Sequence, residues 1–65
     1  MIKKYLIYNL DNQRYVAGKD YSENIKLEAS VALAKEFDSK EEAEKFMENL
    51  NGYQQYYTVI EVFVA

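Results

Sequence analysis

The last stretch of the chain, YQQYYTVIEVFVA from Tyr53 to Ala65, alternates with the period of two expected of a β-strand. Both alternating sets are apolar. Tyr56, Ile60, Val62 and Val64 fall on one side, and Tyr57, Val59 and Phe63 on the other. A strand is therefore predicted over about Gln54 to Val64. Ile2 to Leu10 is rich in β-branched and aromatic residues and predicts a first strand. Asp11 and Asn12 tolerate positive φ and suit a tight hairpin turn. Arg14 to Ala17 then returns as a second strand, ended by Gly18, and Lys19 to Asn24 is a polar loop.

The segment IKLEASVALAKEF supports two readings. Ile25, Leu27, Ala29, Val31, Leu33 and Phe37 fit a period of two, interrupted by Lys35. Leu27, Val31 and Ala34 fit a helix, which the alanines and glutamate favour. The expectation is an extended segment with a third strand near Ser30 to Phe37. The competing reading is a short helical turn over Lys26 to Ala32.

DSKEEAEKFMENLNG carries a capping box, with Ser39 at the N-cap and Glu42 three residues on. Glu41 and Glu42 in the first turn suit the positive end of the helix dipole. Ala43, Phe46, Met47 and Leu50 form one apolar face at helical spacing. Asn51 and Gly52 supply a stop. A helix is predicted from about Lys40 to Leu50.

The order strand, strand, strand, helix, strand defines an α+β fold. It is one domain over residues 1–65, with the helix packed on one face of a small antiparallel sheet. A helix of about eleven residues is about 16 Å long and covers part of one face. Antiparallel sheets that meet water normally read apolar-in, polar-out. Here the uncovered face is expected to carry Tyr5, Ile7, Tyr57, Val59 and Phe63, so those residues are the candidate partner-binding set.

Composition narrows the function. A chain of 65 residues lies near the lower limit for independent folding. Its stability is expected at roughly 3–5 kcal/mol unless assembly adds to it. Cysteine and histidine are both absent, which removes disulfides, thiolate and imidazole metal sites, and the common nucleophile–base pairs. No cofactor or metal is expected, and the chain reads as a non-enzyme. A Ser–Lys pair would have to use Ser22, Ser30 or Ser39, and Ser39 is accounted for as a cap. Tyr15 to Lys19 matches a Tyr-x-x-x-Lys spacing, but it lies on a strand broken by Gly18 and no glycine-rich phosphate loop accompanies it. The carboxylates Glu41, Glu42, Glu44 and Glu48 read as a solvated helix face, with Glu41 and Lys45 spaced as an i,i+4 pair.

The formal charge of −3, from 11 acids and 8 bases, argues against backbone binding to nucleic acid. No apolar run is long enough to span a bilayer. MIKKYLIYNL reads as a strand rather than a secretory leader, because its apolar part is short and contains Tyr8 and Asn9. A bacterial cytoplasmic location is the expectation.

Seven tyrosines are many for this length. They fit half-buried strand positions, and equally an interface, where tyrosine offers large contact area at low entropic cost. The acids from Glu36 to Glu48 form a ridge that would steer the chain toward a basic partner; Glu41, Glu44 and Glu48 are the candidate steering residues.

Tyr5, Leu6 and Ile7, then Ala34, Phe37, Ser39, Glu42 and Ala43, then Ile60, Glu61 and Val62 together resemble a pattern in small proteins encoded by phages and mobile elements of Gram-positive bacteria. Those often carry a tryptophan in the middle loop, where this chain has Tyr21 nearby. The resemblance implies an accessory role without catalysis. The function expected is binding that inhibits or modulates a host protein, plausibly a defence nuclease, by a chain that forms a homodimer or higher oligomer through its open sheet face. The alternative is an oligomer that sequesters a nucleotide signal between tyrosine rings, with Arg14 or Lys19 on its phosphates.

Overall fold

A computed structural model describes residues 1–19, 25–50 and 56–64, with Lys19 described by its backbone. It has strands β1 (Ile2–Asn9), β2 (Arg14–Lys19) and β3 (Ile25–Glu28), a 3-10 turn (Val31–Leu33), helix α1 (Lys40–Glu48) and strand β4 (Tyr57–Val64). The fold is α+β: a 4-stranded antiparallel sheet in the order β3-β2-β1-β4, with α1 packed against it. The polar loop at 20–24, the stop at Asn51 and Gly52, and the residues before Tyr56 lie outside the described residues.

β1 and β4 pair along their whole length, from Ile2 opposite Val64 to Asn9 opposite Tyr57. β1 and β2 pair only at their joined ends, Tyr8 with Tyr15 and Asn9 with Arg14. The turn between them differs from the expected one. Asn9 is 5% exposed, and its Oδ1 accepts the Asn12 N–H at 2.7 Å. Its carbonyl accepts the Gln13 N–H at 2.9 Å. A side-chain bond to residue i+3 nested in an i→i+4 backbone turn results, and the positive φ falls on Gln13, at 56°, rather than on Asp11 or Asn12.

Gly18 does not end β2. The strand continues to Lys19 through a bulge: Val16 faces Leu27 and Gly18 faces Lys26, which leaves Ala17 as the extra residue. Gly18 has φ +116° and open space where a Cβ would stand, so the backbone conformation alone selects glycine.

The third strand is Ile25–Glu28, earlier than expected, and residues from Ser30 to Phe37 do not form one. Ile25 and Leu27 reach the core by alternation, whereas Val31 and Leu33 are exposed. Ser30 caps the 3-10 turn by accepting the Ala32 N–H. The chain then enters the gap where β2 leaves β1. The Lys35 N–H donates to the Val16 carbonyl at 3.0 Å, and Tyr5 and Phe37 exchange two backbone bonds of 2.9 Å. This single bridge seats Phe37 over the sheet, its ring 5.4 Å from that of Phe46 on α1.

α1 starts as its capping box requires. Ser39 Oγ accepts the Glu42 N–H at 3.2 Å. The Glu42 carboxylate reaches back one residue further than the usual box and accepts the Asp38 N–H at 3.3 Å. The helix closes at Asn49 with i→i+3 bonds, from Asn49 N–H to Phe46 and from Leu50 N–H to Met47. It is about 13 Å long. No ion pair joins Glu41 to Lys45; those formed among the described residues are Lys3–Glu61, Lys4–Asp38 and Lys26–Glu28.

The core lies between α1 and one sheet face. Ile7, Val16, Phe37 and Ala43 are buried at its centre, with Tyr5, Ile25, Leu27, Phe46, Met47, Tyr57 and Val59 packed around them.

Candidate interaction surface

The core residues of β1 and β4 are all odd-numbered, so the helix lies over the odd face of both strands. That assignment corrects the expected partner-binding set. Ile7 is 0% exposed and sits at the centre of the core, and Tyr5, Tyr57 and Val59 pack against that centre. None of these lies on an open face. Both alternating sets were apolar, so the strands alone could not say which set meets the helix. Phe37 decides it: its backbone bridge to Tyr5 places its ring beside Tyr5 and Ile7.

Phe63 is 58% exposed, because it lies on the helix side beyond the reach of α1. Lys3, directly across from it on β1, holds its ammonium 5.8 Å from the ring centre and 3.5 Å from the Glu61 carboxylate. Glu41, Glu44 and Glu48 are exposed on the outer surface of α1, on the side opposite the even sheet face. The structure thus separates the expected set into a buried group and an exposed group on the helix side.

The even face is the one that α1 leaves uncovered. β4 contributes Thr58, Ile60, Val62 and Val64, all part-exposed, and β1 contributes Ile2, Lys4, Leu6 and Tyr8, with Lys4 directly across from Val62. Tyr8 and Tyr15 extend the patch onto β2, their rings edge-to-face at 5.1 Å. Leu6 is already 2% exposed, so its part-exposed neighbours form the accessible surface.

Charge enters this face through Lys4 and lies along its β3 side. Phe37 and Tyr5 are bridge partners, so Asp38 falls beside Lys4, and their side chains are joined by a hydrogen bond and an ion pair. The hydrogen bond and the charge of Lys4 hold the Asp38 carboxyl below its ordinary value. The hydrogen bond to Asp38 raises the Lys4 ammonium above its ordinary value, against an opposing effect of desolvation, with the charges of Asp38, Glu36 and Glu42 adding favourable field. At the β3 edge, Lys26 and Glu28 pair at 3.7 Å. The result is an aliphatic and tyrosine patch crossed by the Lys4–Asp38 pair and flanked by the Lys26–Glu28 pair.

Among the described residues no group of carboxylates is placed to hold a metal ion, and no helix is long and apolar enough to cross a membrane. No family model, curated protein or solved structure matches the chain.

The residues of this surface, Ile60, Val62, Val64 and Tyr8, are not the ones the sequence singled out. The signal was present in the alternation of β4, but its two sides could not be told apart.

Proposed function

We propose that this chain is a protein-binding module of the bacterial cytoplasm that attaches by its even sheet face and inhibits or modulates the protein it binds. The observation that supports this is the face itself: Ile60, Val62 and Val64 on β4 and Tyr8 and Tyr15 beside them, part-exposed and apolar, with the Lys4–Asp38 pair set among them and the Lys26–Glu28 pair at the β3 side. Apolar and aromatic contact area accompanied by a few polar groups is the usual anatomy of a protein interface. The resemblance to small phage and mobile-element proteins supports a host protein, such as a defence nuclease, as the target.

The test is affinity capture from a Gram-positive lysate, with identified proteins then purified and titrated directly. Val62→Lys replaces apolar surface with a second ammonium directly across from Lys4, without touching the core, and should weaken binding at least tenfold. Phe63→Lys, on the opposite side, should leave it unchanged. Equal binding by the native chain and Val62→Lys would overturn the reading.

A further inference from the structure

β4 is an edge strand, and its backbone shows which residues look outward. The Leu10 N–H donates to the Tyr56 carbonyl at 2.7 Å, so Tyr56 turns its backbone groups toward β1. On the other side of β1, Tyr5 spends both its backbone groups on Phe37, so it gives none to Glu61, its partner on β4. Hydrogen-bonded and non-hydrogen-bonded pairs alternate along an antiparallel ladder. The even residues of β4 therefore bond β1, and Tyr57, Val59, Glu61 and Phe63 aim their N–H and C=O groups at the free edge. Among the described residues nothing pairs with them.

Natural proteins usually protect such an edge with lysine, proline or a bulge. β4 has none of these; its register against β1 is unbroken, and Glu61 is its only charge.

We propose that β4 pairs antiparallel with β4 of a second copy of this chain, with Ile60 on the two-fold axis, to form a continuous eight-stranded sheet. This goes beyond the preceding reading, since it rests on the backbone of β4 rather than on the even face.

Backbone parity and charge select the register. Outward residues must face outward residues. With Ile60 opposite Ile60, Tyr57 faces Phe63 and Val59 faces Glu61, and each relation recurs through the two-fold axis. All the outward groups of both strands are then paired, giving about eight hydrogen bonds. Sliding by two residues in one direction sets Glu61 against Glu61, which like charge disfavours. Sliding in the other direction leaves Phe63 without a partner in β4. The favoured register also joins Tyr57 and Phe63 across the interface, an aromatic pair of the kind that stabilises sheets. The contact is self-complementary and closes, as a two-fold interface must.

The chain has no cysteine, so single cysteines report the register cleanly. At Ile60 the two copies form a non-hydrogen-bonded pair about 4.5 Å apart at Cα, which a disulfide can span. Ile60→Cys should cross-link to covalent dimer under mild oxidation. Thr58→Cys lies on the same face but about 13 Å from its copy in this register and should not.

Glu61→Pro removes an outward N–H and spares the ladder to β1, a placement edge strands tolerate. It deletes two hydrogen bonds per dimer and should weaken dimerisation about thirty-fold in sedimentation equilibrium. Glu61→Gln loses the same charge, keeps the N–H and should remain dimeric. Should Glu61→Pro fail to fold by circular dichroism, the cysteine pair decides alone. A native chain that stays monomeric at high micromolar concentration overturns the proposal, as does equal cross-linking of Ile60→Cys and Thr58→Cys. A dimer that survives Glu61→Pro and dissociates with Val62→Lys overturns it as well, and assigns the contact to the even face. A monomer that still captures its partner removes the edge contact alone.

Discussion

Truncating Ile7 tests the assignment of the two sheet faces more directly than any binding experiment. Ile7→Ala removes three carbons from a fully buried side chain enclosed by Val16, Phe37 and Ala43. At about 0.8 kcal/mol per carbon the transfer cost is about 2.4 kcal/mol. The cavity left behind raises it to about 3–4 kcal/mol, within the range seen for such truncations. That is close to the whole stability expected of a chain this small. Val62→Ala is the matched control on the even face. It removes two carbons from a part-exposed side chain and should cost about 1 kcal/mol. Urea unfolding in dilute solution, followed by circular dichroism and tyrosine fluorescence, separates the two. With a slope of about 1 kcal/mol per molar urea, the Ile7→Ala midpoint should fall about 3 M, to the edge of the unfolded baseline, and the Val62→Ala midpoint about 1 M. Equal costs at the two positions, or a larger one at Val62, would mean that the helix lies over the even face, and the interaction surface assigned above would be wrong.

Ser39→Ala removes the oxygen that accepts the Glu42 N–H at the start of α1; it should cost about 1 kcal/mol in thermal or urea unfolding, with Ser39→Asp recovering most of it. The Lys4–Asp38 pair should appear in the pH dependence of stability. Asp38 titrates lower folded than unfolded, so its contribution is complete above the ordinary carboxylate value of 3.8 and is lost as pH falls through its lower folded value. Lys4 titrates higher folded, so its contribution is complete below 10.5 and is lost as pH rises through its higher folded value. Urea midpoints of native chain and Lys4→Met should therefore differ at neutral pH and converge at both extremes; a constant offset across the range would show that the pair does not couple to folding.

The α+β class, β1, α1 and β4 were legible from periodicity and capping, because each is decided by neighbours within a few residues. α1 is the clearest example: Ser39 and Glu42 mark its start, and Ala43, Phe46 and Met47 mark its buried side. The third strand was not legible in place. Residues 25–33 alternate without a break, and what distinguishes Ile25–Glu28 from the rest is pairing to β2 across a bulge, a contact that no local pattern encodes. The continuation of β2 past Gly18 was missed for the same reason. Gln13 took the positive φ expected of Asp11 or Asn12 because Asn9 closes the turn from its first position. The open face was expected on the wrong side of the sheet because Tyr57, Val59 and Phe63 are as apolar as Ile60, Val62 and Val64. Choosing between the sets requires knowing where Phe37 and the helix come to rest, which is long-range information.

Placing the helix on the odd face also separates two properties that the sequence places on one chain without saying where. Glu41, Glu44 and Glu48 lie on the outside of α1, and the sheet patch of Ile60, Val62 and Val64 lies behind it. A single flat partner cannot touch both. Contact through the sheet patch is short-range and dry, so its affinity should be nearly independent of ionic strength. Contact through the acidic helix would accelerate association with a basic partner and weaken as salt rises, since exposed charges are screened over about 8–10 Å at ordinary ionic strength. A partner whose binding is lost with Val62→Lys should therefore remain bound in high salt. One released by salt alone would have to sit on the helix side, where Phe63 is the exposed apolar anchor and Val62 is out of reach. The salt response of any partner thus reports which side of the sheet it uses.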